Sequence, residues 1–107
     1  KKIRYKPGGI VIIEQQKTSY AWGHETVWTD SDNCKASFVG IKSGQSIYDK
    51  SRTLNKETVY VLYGTLVVEL KDQNKEVKKG QAFHIEKGTE RKFLAPYGDV
   101  DLAMVSE

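Results

Sequence analysis

The sequence predicts an all-β domain, a sandwich or barrel, and three observations predict it. Apolar and β-branched residues come in short runs rather than at helical spacing, punctuation residues separate the runs, and no long segment carries a 3.6-residue period. The runs are Ile10-Val11-Ile12-Ile13, then 20–28, 36–41, 57–63, 65–70, 82–85, 91–94 and 100–105. Between them lie Pro7-Gly8-Gly9, the polar stretch 29–33, Ser43-Gly44, Asp72-Gln73-Asn74, Lys79-Gly80 and Pro96-Tyr97-Gly98-Asp99. Such spacing suits strands joined by tight turns. The stretch 50–55 is polar and reads as a loop or an irregular strand end.

The 107 residues make room for one domain, taken as 1–107, with 38% apolar and 29% charged residues. A core of that size needs neither disulfide nor metal to hold it. Cys34 is the single cysteine, so no intramolecular disulfide forms, and a reducing, cytoplasmic setting is expected. No apolar run approaches the ~20 residues of a spanning helix, so no membrane partner is expected.

Charge excludes more than it suggests. Seventeen basic against fourteen acidic residues leave +3, too little to imply nucleic acid. The basic stretch 71–79 has no interleaved aromatic side chain and carries Asp72 and Glu76, so it reads as a solvated turn. Only Arg4, Arg52 and Arg91 are arginines. In so arginine-poor a chain their placement is informative.

Individual side chains follow from strand alternation. Tyr20, Trp22, His24 and Trp28 form a period-two stripe that should share one face, either an aromatic wall for a sugar ring with His24 as acid or base, or packed aromatics. His84 alternates with Phe83 and Ile85 and should face away from the core. Tyr48 is in phase with Lys50 and Arg52, and Glu57 with Val59, Val61 and Tyr63. Cys34 has no base beside it in sequence and reads as a plain thiol.

Three stretches carry a family resemblance: Trp22-Gly23-His24-Glu25, Gly44-Gln45 through Glu57 to Gly64, and Gly80 through His84 to Arg91. Over residues 20–106 the chain resembles a cupin, more narrowly the small single-domain cupins similar to the mannose-6-phosphate isomerase barrel. The resemblance implies a double-stranded β-helix, a jelly-roll barrel with an open mouth. It also implies a divalent metal held by His, Gln and Glu side chains, and the positions it assigns to them hold Lys50, Arg52, Glu57 and Arg91. Arginine offers no lone pair at neutral pH. A lone carboxylate does not hold a metal against water, so no metal and no cofactor is expected.

Were those side chains to converge, three cations and one carboxylate would leave +2, the charge of the missing metal. A pocket of that kind would grip a small anion: a sugar phosphate, sugar acid or nucleotide sugar. Arg52 and Arg91 could instead clamp Glu57 in a closed ion network, or Lys50 and Arg52 could reach solvent. Metal-free relatives of the barrel are sugar-nucleotide epimerases and ketoisomerases, which makes Lys50, Tyr48 and His24 candidate acid/base residues. An interaction protein with a vestigial pocket is the remaining reading. A homodimer is expected, with residues 3–14 contributing.

Overall fold

The computed structural model describes residues 8–107. Arg4 and the first part of the 3–14 stretch lie outside them. Among the described residues, ten strands form two antiparallel sheets and no α-helix occurs. The larger sheet runs in the order β1 (Gln16–Tyr20), β2 (Gly23–Asp30), β3 (Lys35–Ile41), β10 (Val100–Ser106), β5 (Glu57–Tyr63), β8 (Ala82–Ile85). The smaller runs β4 (Ser46–Ile47), β9 (Lys92–Leu94), β6 (Thr65–Glu69), β7 (Asn74–Lys78). Chain neighbours repeatedly fall in different sheets, which gives the jelly roll. Among the described residues, no helix is long and apolar enough to cross a membrane.

The core lies between the sheets because alternate residues of each strand point inward. Val39, Ile41, Val59, Val61, Ile85, Leu102 and Met104 supply one wall, and Ile47, Leu66, Val68, Val77 and Phe93 the other. Phe83 meets Phe93 edge to face across the gap, ring centroids 5.9 Å apart. Burying each aliphatic side chain contributes about 1.5–3 kcal/mol before entropy is counted. At the β5–β6 turn Gly64 has φ +83°, and a Cβ there would collide with the carbonyl oxygen of Asp99. That corner accepts only glycine.

Several expectations are corrected by local geometry. The 20–28 run is not one strand: β1 and β2 form a hairpin in which Tyr20 pairs with Gly23, leaving Ala21 and Trp22 as the turn. The aromatic stripe is therefore split between two strands. The 50–55 stretch forms a 3-10 turn (Lys50–Leu54) that Asp49 caps by accepting hydrogen bonds from Ser51 N at 2.9 Å and Ser51 Oγ at 2.6 Å. The phase linking Tyr48, Lys50 and Arg52 ends there. On β5 the alternation fails after Val61, since Val61 pairs with Leu102 and Tyr63 with Asp101, leaving Leu62 as a bulge. Tyr63 is consequently exposed instead of sharing the inward face of Glu57. Ile10–Ile13 forms no strand, while the polar run Gln16–Tyr20 does. The basic stretch 71–79 is not a single turn: Asn74–Lys78 forms β7, with a bend before it and a turn beginning at Lys79.

Candidate functional site

At one end of the barrel a cleft of about 560 Å³ opens between the β1–β2 turn, the loop 31–34, the 3-10 turn and the chain end at Ser106 and Glu107. Its base is an ion network built on Glu57. As first residue of β5, Glu57 points inward like Val59 and Val61 and is 1% exposed. A carboxylate so buried requires compensation. Arg91 Nη1 donates to Oε1 at 2.8 Å, while Arg52 Nη1 and Ser106 Oγ each donate to Oε2 at 2.9 Å.

The two guanidinium groups have different duties. Arg91, itself 3% exposed, also donates from Nε to the Thr89 carbonyl at 2.9 Å and from Nη2 to the Glu86 carbonyl at 3.1 Å. Both of its terminal nitrogens further reach the Asn55 carbonyl, at 3.4 and 3.5 Å. Every nitrogen is engaged, so Arg91 ties β5, the 3-10 turn and the approach to β9 together and has nothing left for a guest. Arg52 lines the cleft, and its Nε is buried without a hydrogen-bond partner.

One wall of the cleft is aromatic. Tyr20 and Trp22, brought together by the hairpin turn, stack with centroids 4.7 Å apart and planes 9° from parallel. Next to them Glu25 accepts from Ser37 Oγ at 3.0 Å and pairs with Lys35 at 3.5 Å. Glu25, Asp30, Asp32, Asp49, Glu57 and Glu107 line the cleft against Lys35 and Arg52, six carboxylates and two cations. Tyr48 stands at the rim and donates to Glu90 at 3.3 Å. The Glu90 charge, foremost, raises the Tyr48 phenol above its ordinary pKa, and slight burial and the hydrogen bond add to it.

The remaining candidates lie elsewhere. Lys50 is exposed and does not line the cleft. In a 3-10 turn residues two apart point in different directions, so Arg52 turns in and Lys50 turns out. The +2 pocket of three converging cations does not form. His24 sits on the outer face of β2 over Gly40, where a Cβ would strike its ring. His84 faces outward as alternation predicts, with Thr58 Oγ1 at 3.0 Å and Glu86 Oε2 at 2.6 Å. Lys50, Tyr48 and His24 therefore do not meet, and only Tyr48 reaches the cleft. Cys34 lines it as a half-buried thiol. The sequence reading missed Glu25 and Ser37, and the signal was available: with the turn placed at Ala21-Trp22, alternation turns Glu25 inward.

A divalent cation does not fit this donor set. Both Glu57 oxygens are taken, guanidinium nitrogens carry no lone pair, and among the described residues no three His, Cys, Asp or Glu side chains are grouped to hold a metal.

The cupin domain family matches residues 37–106, so the chain belongs to the cupins. Solved structures agree on the fold. An RmlC-like cupin from Shewanella frigidimarina superposes with a TM-score of 0.73 at 12% identity, covering 87% of this chain and 83% of that one. A cupin superfamily protein from Desulfitobacterium hafniense gives 0.70 at 15%, covering 77% and 73%. The capsular polysaccharide assembling protein CapF from Staphylococcus aureus gives 0.72 at 16%, covering 87% of this chain and 28% of CapF. No curated protein matches the chain.

Proposed function

We propose that this cupin is a metal-independent binding module for a small polyhydroxylated molecule, a sugar or sugar derivative, held in the barrel cleft. The observation that carries the reading is the stacked Tyr20–Trp22 pair facing a cleft rich in carboxylates and hydroxyls. An aromatic face packs against the apolar C–H surface of a pyranose ring, while acceptors and hydroxyl groups take its hydroxyl hydrogens. Six carboxylates against two cations favour a neutral or amino-bearing sugar over the sugar phosphate that the sequence suggested. The Arg52–Glu57–Arg91 network takes the place of a metal as the staple at the cleft base. With Lys50 and His24 outside the cleft, binding is better supported than sugar isomerisation or epimerisation.

The anionic guest remains a second reading because of one atom. Arg52 Nε is a buried donor without a partner, and a sugar carboxylate reaching the cleft base would satisfy it. Thermal-shift titration in EDTA separates the readings. Neutral hexoses and amino sugars should raise the melting temperature, Trp22→Ala should abolish the shift, and Lys50→Ala should leave it intact. Stabilisation by sugar acids alone, lost in Arg52→Met, selects the anion. A requirement for added divalent metal refutes both.

A further inference from the structure

A second depression, of about 790 Å³, lies beyond the rim of the cleft, and the two share one side chain. Tyr48 lines both and is 55% exposed. Its phenol is held at the tip by Glu90, which steadies the ring as an aromatic surface between the two hollows.

The end of the smaller sheet builds the second hollow. Asn74, Glu69 and Lys92 stand opposite one another across β7, β6 and β9, with Glu69 paired to both neighbours. Ile47 pairs with Phe93, and both are buried. The next residues along, Tyr48 and Lys92, therefore fall on the outer side, and Tyr48 extends the row. Strands about 4.8 Å apart spread these four side chains over roughly 14 Å, longer than a single sugar ring. Among the described residues, Asn74, Glu69 and Lys92 make no side-chain hydrogen bond or ion pair, although Lys92 stands directly opposite Glu69. Amide, carboxylate and ammonium in one line supply both the donors and the acceptors that a run of hydroxyl groups requires.

The charge lining this hollow balances, with Glu69, Asp72 and Glu90 against Lys71, Arg91 and Lys92. Arg91 is already engaged by Glu57 and by backbone carbonyls. No positive excess is left to hold a phosphate, so the second hollow suits a polyanion no better than the cleft does.

We infer that the guest is an oligosaccharide rather than a single sugar: one unit sits in the cleft on Tyr20 and Trp22, the chain crosses the rim on Tyr48, and further units lie along Lys92, Glu69 and Asn74. The inference rests on the sugar-binding reading of the cleft and adds the length of chain that the protein takes. Each hollow falls within the roughly 300–1,000 Å³ of ordinary small-molecule sites, so the pair has room for several rings. A unit held in the second hollow makes binding of the first effectively intramolecular, which raises affinity without any new contact in the cleft.

Isothermal titration calorimetry of the full chain in EDTA tests this with two series, glucosamine and its β-1,4-linked oligomers, and glucose and its β-1,4-linked oligomers. Affinity should rise with length. The tetramer should bind ~10-fold or more tighter than the monosaccharide, above the factor of about four that comes from the several ways a tetramer enters one subsite. Glu69→Ala with Asn74→Ala removes two exposed side chains, so the melting temperature should stay near that of the wild type. That double variant should bring the tetramer-to-monosaccharide ratio down to the factor of about four, and Tyr48→Ala should do the same. Monosaccharide binding with no gain from length overturns the inference and leaves the cleft reading standing. Absence of binding by either series at every length removes both. A length gain that survives either variant also overturns the inference, because the chain would then run elsewhere.

Discussion

Replacing Arg91 with methionine removes the donor that serves Glu57 from the least accessible side. Glu57 would keep Arg52 and Ser106, but Oε1 would stand inside the barrel without its partner at 2.8 Å. Losing one member of a buried pair costs about 3–5 kcal/mol, largely the penalty of the stranded charge. The Thr89 and Glu86 carbonyls also lose a donor, which places the expected cost near the top of that range, about 5 kcal/mol. For a domain of this size that lowers the melting temperature by roughly 20 °C or more, and it consumes much of an ordinary total stability of about 5–15 kcal/mol. Urea denaturation followed by circular dichroism measures it. Adding Glu57→Gln should recover about 2 kcal/mol, because the charge that needed the guanidinium is gone. Arg52→Met should cost less than Arg91→Met, since the Arg52 side chain is 16% exposed and water can replace it. An Arg91→Met protein melting within a few degrees of the wild type, or strictly additive effects of the two substitutions, would refute the buried network as a staple.

Further predictions address the surroundings of the cleft. The Asp49 carboxyl is held below its ordinary value, chiefly by the Ser51 side-chain hydrogen bond. Its stabilisation is therefore full above the unfolded pKa and disappears as pH falls through the lower folded value; Asp49→Ala should cost about 1 kcal/mol at neutral pH, a difference that shrinks in acid melts. The Tyr48 phenol is raised by Glu90, so its contribution is present below the unfolded pKa and lost as strongly alkaline pH is reached. An ultraviolet difference titration of wild type against Tyr48→Phe should place its ionisation above that of free tyrosine, and Glu90→Gln should bring it down. Gly64→Ala should cost about 3 kcal/mol from left-handed backbone strain and the clash with Asp99, read from the melting temperature; a change under 1 °C would contradict the turn geometry.

The barrel was legible because its strands alternate and its turns carry glycine. Glu57 was legible as an inward carboxylate, and Arg52 and Arg91 as its partners in one of the readings considered. What escaped was set by packing rather than by pattern. Ala21-Trp22 has no turn composition, so the hairpin hid inside an aromatic stripe, and with it the split between the Tyr20–Trp22 stack and the outer-face His24. β1 shows no alternation because both its faces are exposed. The 3-10 turn did leave a local sign in Asp49-Lys50-Ser51, an acceptor two residues before a donor. Taken up, that sign would have separated Lys50 from Arg52.

The two tryptophans allow the most direct test of the binding reading. In a ¹H–¹⁵N spectrum recorded in EDTA, Trp22 reports on the cleft and Trp28 on the outer sheet face. Titration with a neutral or amino sugar should move the Trp22 indole resonance to saturation and leave Trp28 in place. Movement of neither indole at saturating sugar, or movement of Trp22 only after zinc, iron or manganese is supplied, would contradict a metal-free sugar cleft.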